Sequence, residues 1–153
     1  MSGEIHASLL SVVSIIQEND LWKTWFNRLK SSDTVKEISR FHKHVYVRAS
    51  GVGPIADRDI YLDGRGFDLL EKSNAVVIVA REVADAPAPE NGAVRLKLIS
   101  GGAVIVPVSE EVTNLVLIAC ADPNRNRLFH FLCGTYFCFS IKFLLFRCGF
   151  SIL

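Results

Sequence analysis

The chain of 153 residues lacks the features that mark several broad classes of protein. It has no run of lysine and arginine and a net charge of only +1, which argues against a nucleic-acid partner. Three of its four cysteines follow residue 132, so no disulfide framework spans the chain. No basic segment precedes an apolar run at the start, and a secretory signal is therefore not predicted. We expect a cytoplasmic protein.

The chain also lacks the short motifs of common enzyme classes. It has no Gly-x-Ser-x-Gly nucleophile elbow and no glycine-rich loop that opens a helix. The carboxylates of Asp57 and Asp59 flank Arg58, and this arrangement favours an ion pair over acid/base chemistry. The sequence therefore predicts no catalytic residue and no cofactor, and a non-enzyme is the stronger class.

Two histidines, His42 and His44, are separated by one residue, which puts both imidazoles on one face of a strand. Metal sites use this spacing, but no third ligand accompanies the histidines at a convincing spacing. Cys133 and Cys138 likewise have no partner pair. The sequence predicts no metal site, and a polar strand edge near a turn accounts better for the histidines.

What the chain does contain is enough apolar sequence for one globular domain, since half of its residues are hydrophobic. Apolar residues at helical spacing predict an amphipathic helix over residues 7–17, and a second helix is predicted over residues 21–30. Gly64 and Gly66 predict a bulge or bend, and Gly101-Gly102 a turn. Seven strands are predicted, over residues 35–41, 45–49, 60–70, 75–80, 94–99, 104–108 and 113–121. The continuous apolar run over residues 75–80 predicts a central strand of the sheet. The order of elements predicts an α+β fold with a curved antiparallel sheet.

Four short motifs follow one another in a fixed order, each at the edge of a predicted strand or within one. They occupy residues 53–61, 92–95, 103–107 and 119–124. Their order and spacing resemble the START family (steroidogenic acute regulatory-related lipid transfer). The motif positions that match are Pro54, Arg58, Asp59, Arg95, Pro107 and Asp122.

The resemblance implies a helix-grip fold, in which a curved antiparallel sheet and a long C-terminal helix enclose a cavity. It also implies binding and transfer of a lipid or sterol, with no cofactor. Alternating strand positions supply the candidate cavity residues, although the sequence does not show which face is concave: Tyr46, Tyr61, Val77, Val79, Leu96 and Leu98. Sterol-binding members place a basic residue in the strand after Arg-Asp, and residues 62–64 do not supply one, so the ligand stays open.

The motif charges are interpreted as structural. Arg58 and Asp59 are predicted to form a partly buried, charge-assisted pair that fixes the start of their strand. Arg95 is predicted to point away from Val94, and a solvated sheet face explains it without a ligand.

After residue 124 the chain departs from the family pattern. Residues 125–153 hold seven of the ten phenylalanines and no acidic residue. We therefore predict an incomplete START-like domain at 1–124 and an atypical phenylalanine- and cysteine-rich tail at 125–153. The uncharged run 128–141 is shorter than the ~20 residues of a spanning helix. The expected closing helix is accordingly missing or replaced.

Several alternatives remain for the tail and for the function. The tail is either unrelated to the family, as in a truncated isoform without function, or a membrane anchor formed by residues 128–153, or a divergent closing helix. Ligand binding is the first functional hypothesis. The second is a membrane-associated or protein-interaction module that uses the apolar tail, including peripheral contact with a membrane. An enzyme of the helix-grip superfamily would need titratable groups clustered in the cavity, and the sequence shows no such cluster.

Overall fold

The fold is built on one sheet of eight strands. Most of the short helices lie in the chain between the first and the second strand. The computed structural model describes residues 2–51 and 56–122. The predictions for Pro54 and for the tail at 125–153 therefore lie outside the described residues. In chain order the elements are β1 (Ser2–Ile5), α1 (Leu9–Gln17), a 3-10 turn (Asn19–Leu21), α2 (Trp22–Trp25), β2 (Leu29–Ser39), β3 (His42–Ala49), β4 (Arg58–Leu69), α3 (Leu70–Ser73), β5 (Ala75–Glu82), β6 (Val94–Arg95), β7 (Lys97–Pro107) and β8 (Thr113–Asp122).

The strands are ordered β1-β8-β7-β5-β4-β3-β2, and neighbours in this order pair antiparallel. The short β6 pairs parallel with the start of β4. β5, whose run of apolar residues predicted a central strand, lies in the middle of the order. The predicted α+β fold with a mostly antiparallel, curved, open sheet is confirmed. No helix of the described residues is long and apolar enough to cross a membrane.

The two faces of the sheet differ in what covers them. Side chains alternate along a strand, and directly paired residues share a face. The face that carries Val45, Leu62, Ile78 and Ile105 is covered by α1 and is called the helix face. The opposite face carries Tyr46, Tyr61 and Val77 and is called the tyrosine face.

The helix α1 packs on the centre of the sheet through the apolar stripe that the sequence predicted. Val12 is buried against Ile105, Leu115 and Ala103, and the neighbouring turns of the helix add Leu9, Val13 and Ile16. Ser8 caps the helix, because its side chain accepts a hydrogen bond from the Ser11 amide at 3.3 Å. Burial of such side chains contributes about 1.5–3 kcal/mol each before the entropy of ordering the chain is subtracted.

Two predicted elements at the N-terminal end differ from the structure. The second helix ends at Trp25 instead of residue 30, because Phe26 is extended and Leu29 already pairs with Ala49 in the sheet. Pairing with β3 thus overrides local helix propensity. The sequence also gave no sign of β1, whose four residues lack a clear alternation and are held by pairing with β8.

Two further predictions, a strand edge at the histidines and a bulge in β4, are wrong. His42 and His44 lie close to the hairpin turn at Arg40-Phe41, as predicted, but within β3. Because β3 has β2 on one side and β4 on the other, the histidines are not on a strand edge. No bulge is present in β4, whose pairing with both neighbours passes Gly64 without a shift of register.

The predicted turn at Gly101-Gly102 is also absent, since both glycines lie inside β7. Gly102 is needed there for a steric reason, not for a turn. A Cβ at this position would overlap the carbonyl oxygen of Ile78 on the neighbouring β5, and no real structure accommodates such a contact. Close approach of two backbones is one of the established reasons for glycine inside a strand.

We therefore expect Gly102→Ala to destabilise the fold, by about 1–3 kcal/mol, because the backbone of β5 or β7 must move. Gly64→Ala is the matched control, since its Cβ would meet only the Lys43 carbonyl oxygen at 3.8 Å. Urea unfolding of both variants measures the difference. Equal midpoints for the two variants would contradict the steric account.

Candidate functional site

An apolar groove lies on the helix face, between the α1–α2 region and strands β3, β4 and β5. Its base is formed by Val45, Leu62, Ile78 and Ala80, and Trp22 lines its side. Its cavity has a volume of about 100 Å³. A second cavity of about 160 Å³ adjoins it along α1 and shares several of its lining residues. The described residues thus form one continuous apolar depression beside α1.

The groove is open at its base because β4 carries two glycines there. A Cβ at Gly64 would have no neighbour nearer than 3.8 Å, and at Gly66 the nearest atom would be the Phe41 Cβ at 3.4 Å. Ligand pockets commonly have volumes of about 300–1,000 Å³. Each of the two cavities is smaller than that. The glycines that suggested a bulge therefore provide space.

The polar groups that line this groove are basic or uncharged. Arg40 and Lys43 lie at one end, whereas the Arg65 guanidinium turns to Asp63 on the tyrosine face. Gln17 is the last residue of α1, and Asn19 follows it. The Arg40 guanidinium is 5.4 Å from the centre of the Phe41 ring, within the range of a cation–π contact. Among the described residues that line the first cavity there is no carboxylate, and Asp68 lines the second. The groove therefore combines an apolar base with a positively charged end.

Most of the predicted cavity residues lie elsewhere. Tyr46, Tyr61, Val77 and Val79 share the tyrosine face, opposite the groove, and the two tyrosine rings are 5.2 Å apart. The period of two in a strand shows which residues share a face, but not which face is covered. The signal that could have identified the groove face is the pair Gly64 and Gly66. These glycines alternate in step with Leu62, so they lie on the same face of β4.

The other two predicted cavity residues, Leu96 and Leu98, lie around the start of β7. Leu98 lies beside Gly101 on the helix face, because a register shift between Leu98 and Ser100 changes the alternation of β7. Leu96 lies in the break between β6 and β7, and its amide donates to the Asp59 carbonyl oxygen at 2.8 Å. The predicted continuous strand over residues 94–99 is therefore divided in two.

Asp59 and Arg95, two of the motif residues, form a buried ion pair. Arg95 donates from Nε to Oδ1 at 2.8 Å and from its terminal nitrogen to Oδ2 at 3.0 Å. Asp59 is only 1% exposed. The parallel pairing of β6 with β4 places the two residues side by side. The hydrogen bonds that Arg95 donates to the Asp59 carboxylate raise the pKa of Arg95.

The predicted Arg58–Asp59 pair is therefore wrong. Adjacent residues of a strand point to opposite faces, so Arg58 donates instead to the Ala56 carbonyl oxygen at 2.8 Å. Arg95 is not on a solvated face, because it also donates to the Pro87 carbonyl oxygen at 2.9 Å and lies 5.5 Å from the Tyr61 ring centre. Burial raises the pKa of the nearby Tyr46 hydroxyl, and the charge of Asp59 adds to the effect.

The remaining described motif residues end strands. Pro107 is the last residue of β7 and pairs with Thr113. Asp122 is the last residue of β8 and pairs with Lys97. These positions agree with a structural role.

Asp57 forms a second ion cluster that the sequence did not reveal. It accepts hydrogen bonds from Lys30 and Arg48 at 2.7 Å each and from the Gly51 amide at 3.1 Å. The bond from Lys30, then the bond from Gly51, hold the pKa of this carboxyl well below its usual range. Asp57 thereby connects the start of β2 to the end of β3. The partners could not be foreseen because they are distant in sequence.

On the tyrosine face the structure supplies the third ligand that the sequence did not show for the two histidines. Asp63 lies directly opposite His44 in the pairing of β3 with β4. Its Oδ1 atom is 2.6 Å from His42 Nε2 and 3.8 Å from His44 Nε2. Only the register of the two strands could have revealed this cluster.

The comparison with known proteins rests on solved structures, since neither a scan against family models nor a search of the curated proteins found a match. The human StarD13 (DLC2) lipid transfer and protein localization domain superposes with a TM-score of 0.70 and 19% sequence identity, over 87% of this chain and 66% of that one. Human StAR-related lipid transfer protein 5 gives a TM-score of 0.71 and 17% identity, over 82% and 61%. The chain has a START-like fold.

A bacterial structure agrees with this assignment. The STAR-related lipid transfer protein of Xanthomonas axonopodis gives a TM-score of 0.65 and 18% identity, over 77% of this chain and 66% of that one. The chain spans between 61% and 66% of the length of these three structures. The START-like fold that the motifs implied is confirmed.

The buried pair generates a test of the START-like motif. Arg95→Leu leaves the Asp59 carboxylate buried without its guanidinium, and we expect a loss of about 3–5 kcal/mol in the free energy of unfolding. Arg58→Leu, one position before Asp59 on the opposite face, is the control and should cost clearly less. Urea unfolding measures both. A larger loss of unfolding free energy in Arg58→Leu than in Arg95→Leu would contradict this account. It would support the Arg58–Asp59 pair that the sequence predicted.

Proposed function

We propose that this protein binds and transfers a hydrophobic ligand of the lipid or sterol class in the groove on the helix face. The observation that carries the proposal is the apolar base of the groove, which Gly64 and Gly66 leave open beside α1. The START-like fold supports it, because the three similar structures are named as lipid transfer proteins or domains.

The driving force for binding is removal of apolar surface from water. At about 25 cal/mol per Å², each 100 Å² of buried ligand surface contributes roughly 2.5 kcal/mol. Val45, Leu62, Ile78 and Ala80 provide this apolar contact. No cofactor takes part in such a mechanism.

The basic end of the groove orients the ligand. Arg40 and Lys43 are placed to meet the polar group of a ligand whose apolar part lies on the base of the groove. A few polar groups within an apolar lining are typical of ligand sites. The polar group of the ligand is therefore directed toward the β2–β3 hairpin.

Binding is favoured over catalysis by the chemistry of the groove. Acid/base catalysis needs a titratable group poised near neutral pH close to the reacting atoms. Apart from Arg65, whose side chain binds Asp63 on the tyrosine face, the titratable residues that line the two cavities, among the described residues, are Arg40, Lys43 and Asp68. The Asp68 carboxylate accepts a hydrogen bond from the Leu70 amide at 3.0 Å. Three further statements remain predictions from the sequence. They are a cytoplasmic location, peripheral contact with membranes and a function for residues 128–153.

The test is extraction of a fluorescent sterol and a fluorescent phospholipid from vesicles. We expect extraction by the wild-type chain and at least a tenfold loss for Gly64→Phe, because the ring occupies the groove. Val77→Phe places the same aromatic ring on the tyrosine face and should extract as the wild type does. Far-ultraviolet circular dichroism and cooperative unfolding establish that both variants are folded.

Two results would contradict the proposal. One is a folded wild-type chain that extracts no lipid from a broad panel. The other is loss of extraction in Val77→Phe with full activity in Gly64→Phe, which would move the ligand to the tyrosine face.

A further inference from the structure

The three side chains of His42, His44 and Asp63 form a cluster on the tyrosine face that has the composition of a metal site. They come from two adjacent strands of the sheet, and none of them lies in a turn. Each is partly exposed, with 22%, 25% and 15% of the side chain accessible, so an ion in solution can reach the cluster. The cluster is independent of the lipid proposal, because the groove lies on the opposite face.

The geometry of the cluster approaches that of a tetrahedral site. The ligand atoms of the three residues all lie within 4.8 Å of one another. The two imidazole Nε2 atoms face the same Asp63 oxygen, at 2.6 and 3.8 Å. Bonds of about 2.0–2.1 Å in a tetrahedron separate neighbouring ligand atoms by about 3.3 Å. The two observed distances, 2.6 and 3.8 Å, are shorter and longer than this tetrahedral separation. Small rotations of the side chains therefore bring the ligand atoms to about 3.3 Å from one another.

The carboxylate of Asp63 is held in place by a neighbour that leaves one oxygen to the histidines. Arg65 donates to Oδ2 from its terminal nitrogen at 2.9 Å and from Nε at 3.2 Å, and more weakly to Oδ1 at 3.4 Å. Carboxylates that bind metal ions are themselves commonly held by such outer hydrogen bonds. Because all three side chains are partly exposed, water from solvent can supply a fourth ligand.

The types of ligand atom in the cluster select the kind of ion. Asp63 contributes the one negative charge of the cluster. Its two neighbours are positive: Arg65 on the same strand, and Arg81, which lies opposite Asp63 in the pairing of β4 with β5. Calcium and magnesium prefer six or more oxygen ligands, which this cluster does not offer. Neutral imidazoles with one carboxylate suit zinc, nickel and copper ions instead. We propose that His42, His44 and Asp63 bind a zinc-class divalent ion, which cross-links β3 to β4.

The experiment is a Zn²⁺ titration of the full chain against a chromophoric chelator, with the melting temperature followed in parallel. We expect the wild type to bind one equivalent of Zn²⁺ more than His44→Gln and Asp63→Asn do. The affinity of that equivalent should fall at least tenfold in the variants. Zn²⁺, but not Mg²⁺, should raise the melting temperature of the wild type, since an ion that binds the folded chain alone stabilises it.

The control is His6→Gln, which removes a histidine outside the cluster and should bind Zn²⁺ as the wild type does. Co²⁺ should give an absorption spectrum of nitrogen and oxygen ligands without a thiolate charge-transfer band. If His44→Gln fails to unfold cooperatively in chelator, His42→Gln takes its place. Equal Zn²⁺ binding in all variants, a thiolate spectrum, or no Zn²⁺ binding by the folded wild type would overturn the proposal.

Discussion

The packing of α1 on the centre of the sheet is the contact on which the rest of the structure depends. Val12 packs against Ile105 and Leu115 at the middle of the helix face. The helix therefore does not cover the neighbouring part of this face on β3, β4 and β5, where the groove lies. The position of the helix is fixed at its ends. Thr113, which is fully buried, donates to the Ala7 carbonyl oxygen at 2.8 Å, and Trp22 donates to the Ile16 carbonyl oxygen at 3.1 Å. A buried hydroxyl without such a partner would be unfavourable, so each bond also specifies the location of α1.

The opposite face is organised by charge instead of apolar packing. Asp59 and Arg95 form a buried pair, and Arg95 also donates to the Pro87 carbonyl oxygen and lies over the Tyr61 ring. The Asp63 cluster lies further along β4. A buried pair of this kind adds little net stability but specifies one arrangement, because either partner alone is costly to bury. The two faces therefore have different chemistry. The helix face is suited to an apolar ligand, and the tyrosine face carries the ion pairs and the histidines.

Much of the fold, but little of the site, could be predicted from the sequence. Helical spacing predicted α1, the apolar run predicted the central β5, and the order of the four motifs predicted the START-like sheet. The face of the groove could not be predicted, because alternation along a strand is the same for both faces until a helix covers one of them. The partners of Asp59 and Asp63 depended on register between strands, which a single sequence does not contain. Gly102 looked like part of a turn because local preference cannot show the approach of the Ile78 backbone.

The central claim is that the ligand lies on the helix face beside α1. Photocrosslinking with a sterol or phospholipid that carries a diazirine in its apolar part tests this claim most directly, with the adducts located by mass spectrometry. The account predicts adducts on groove residues such as Leu62 and Ile78, which a non-photoreactive lipid in excess removes. Adducts confined to Tyr46 and Tyr61 would place the ligand on the other face and contradict the account.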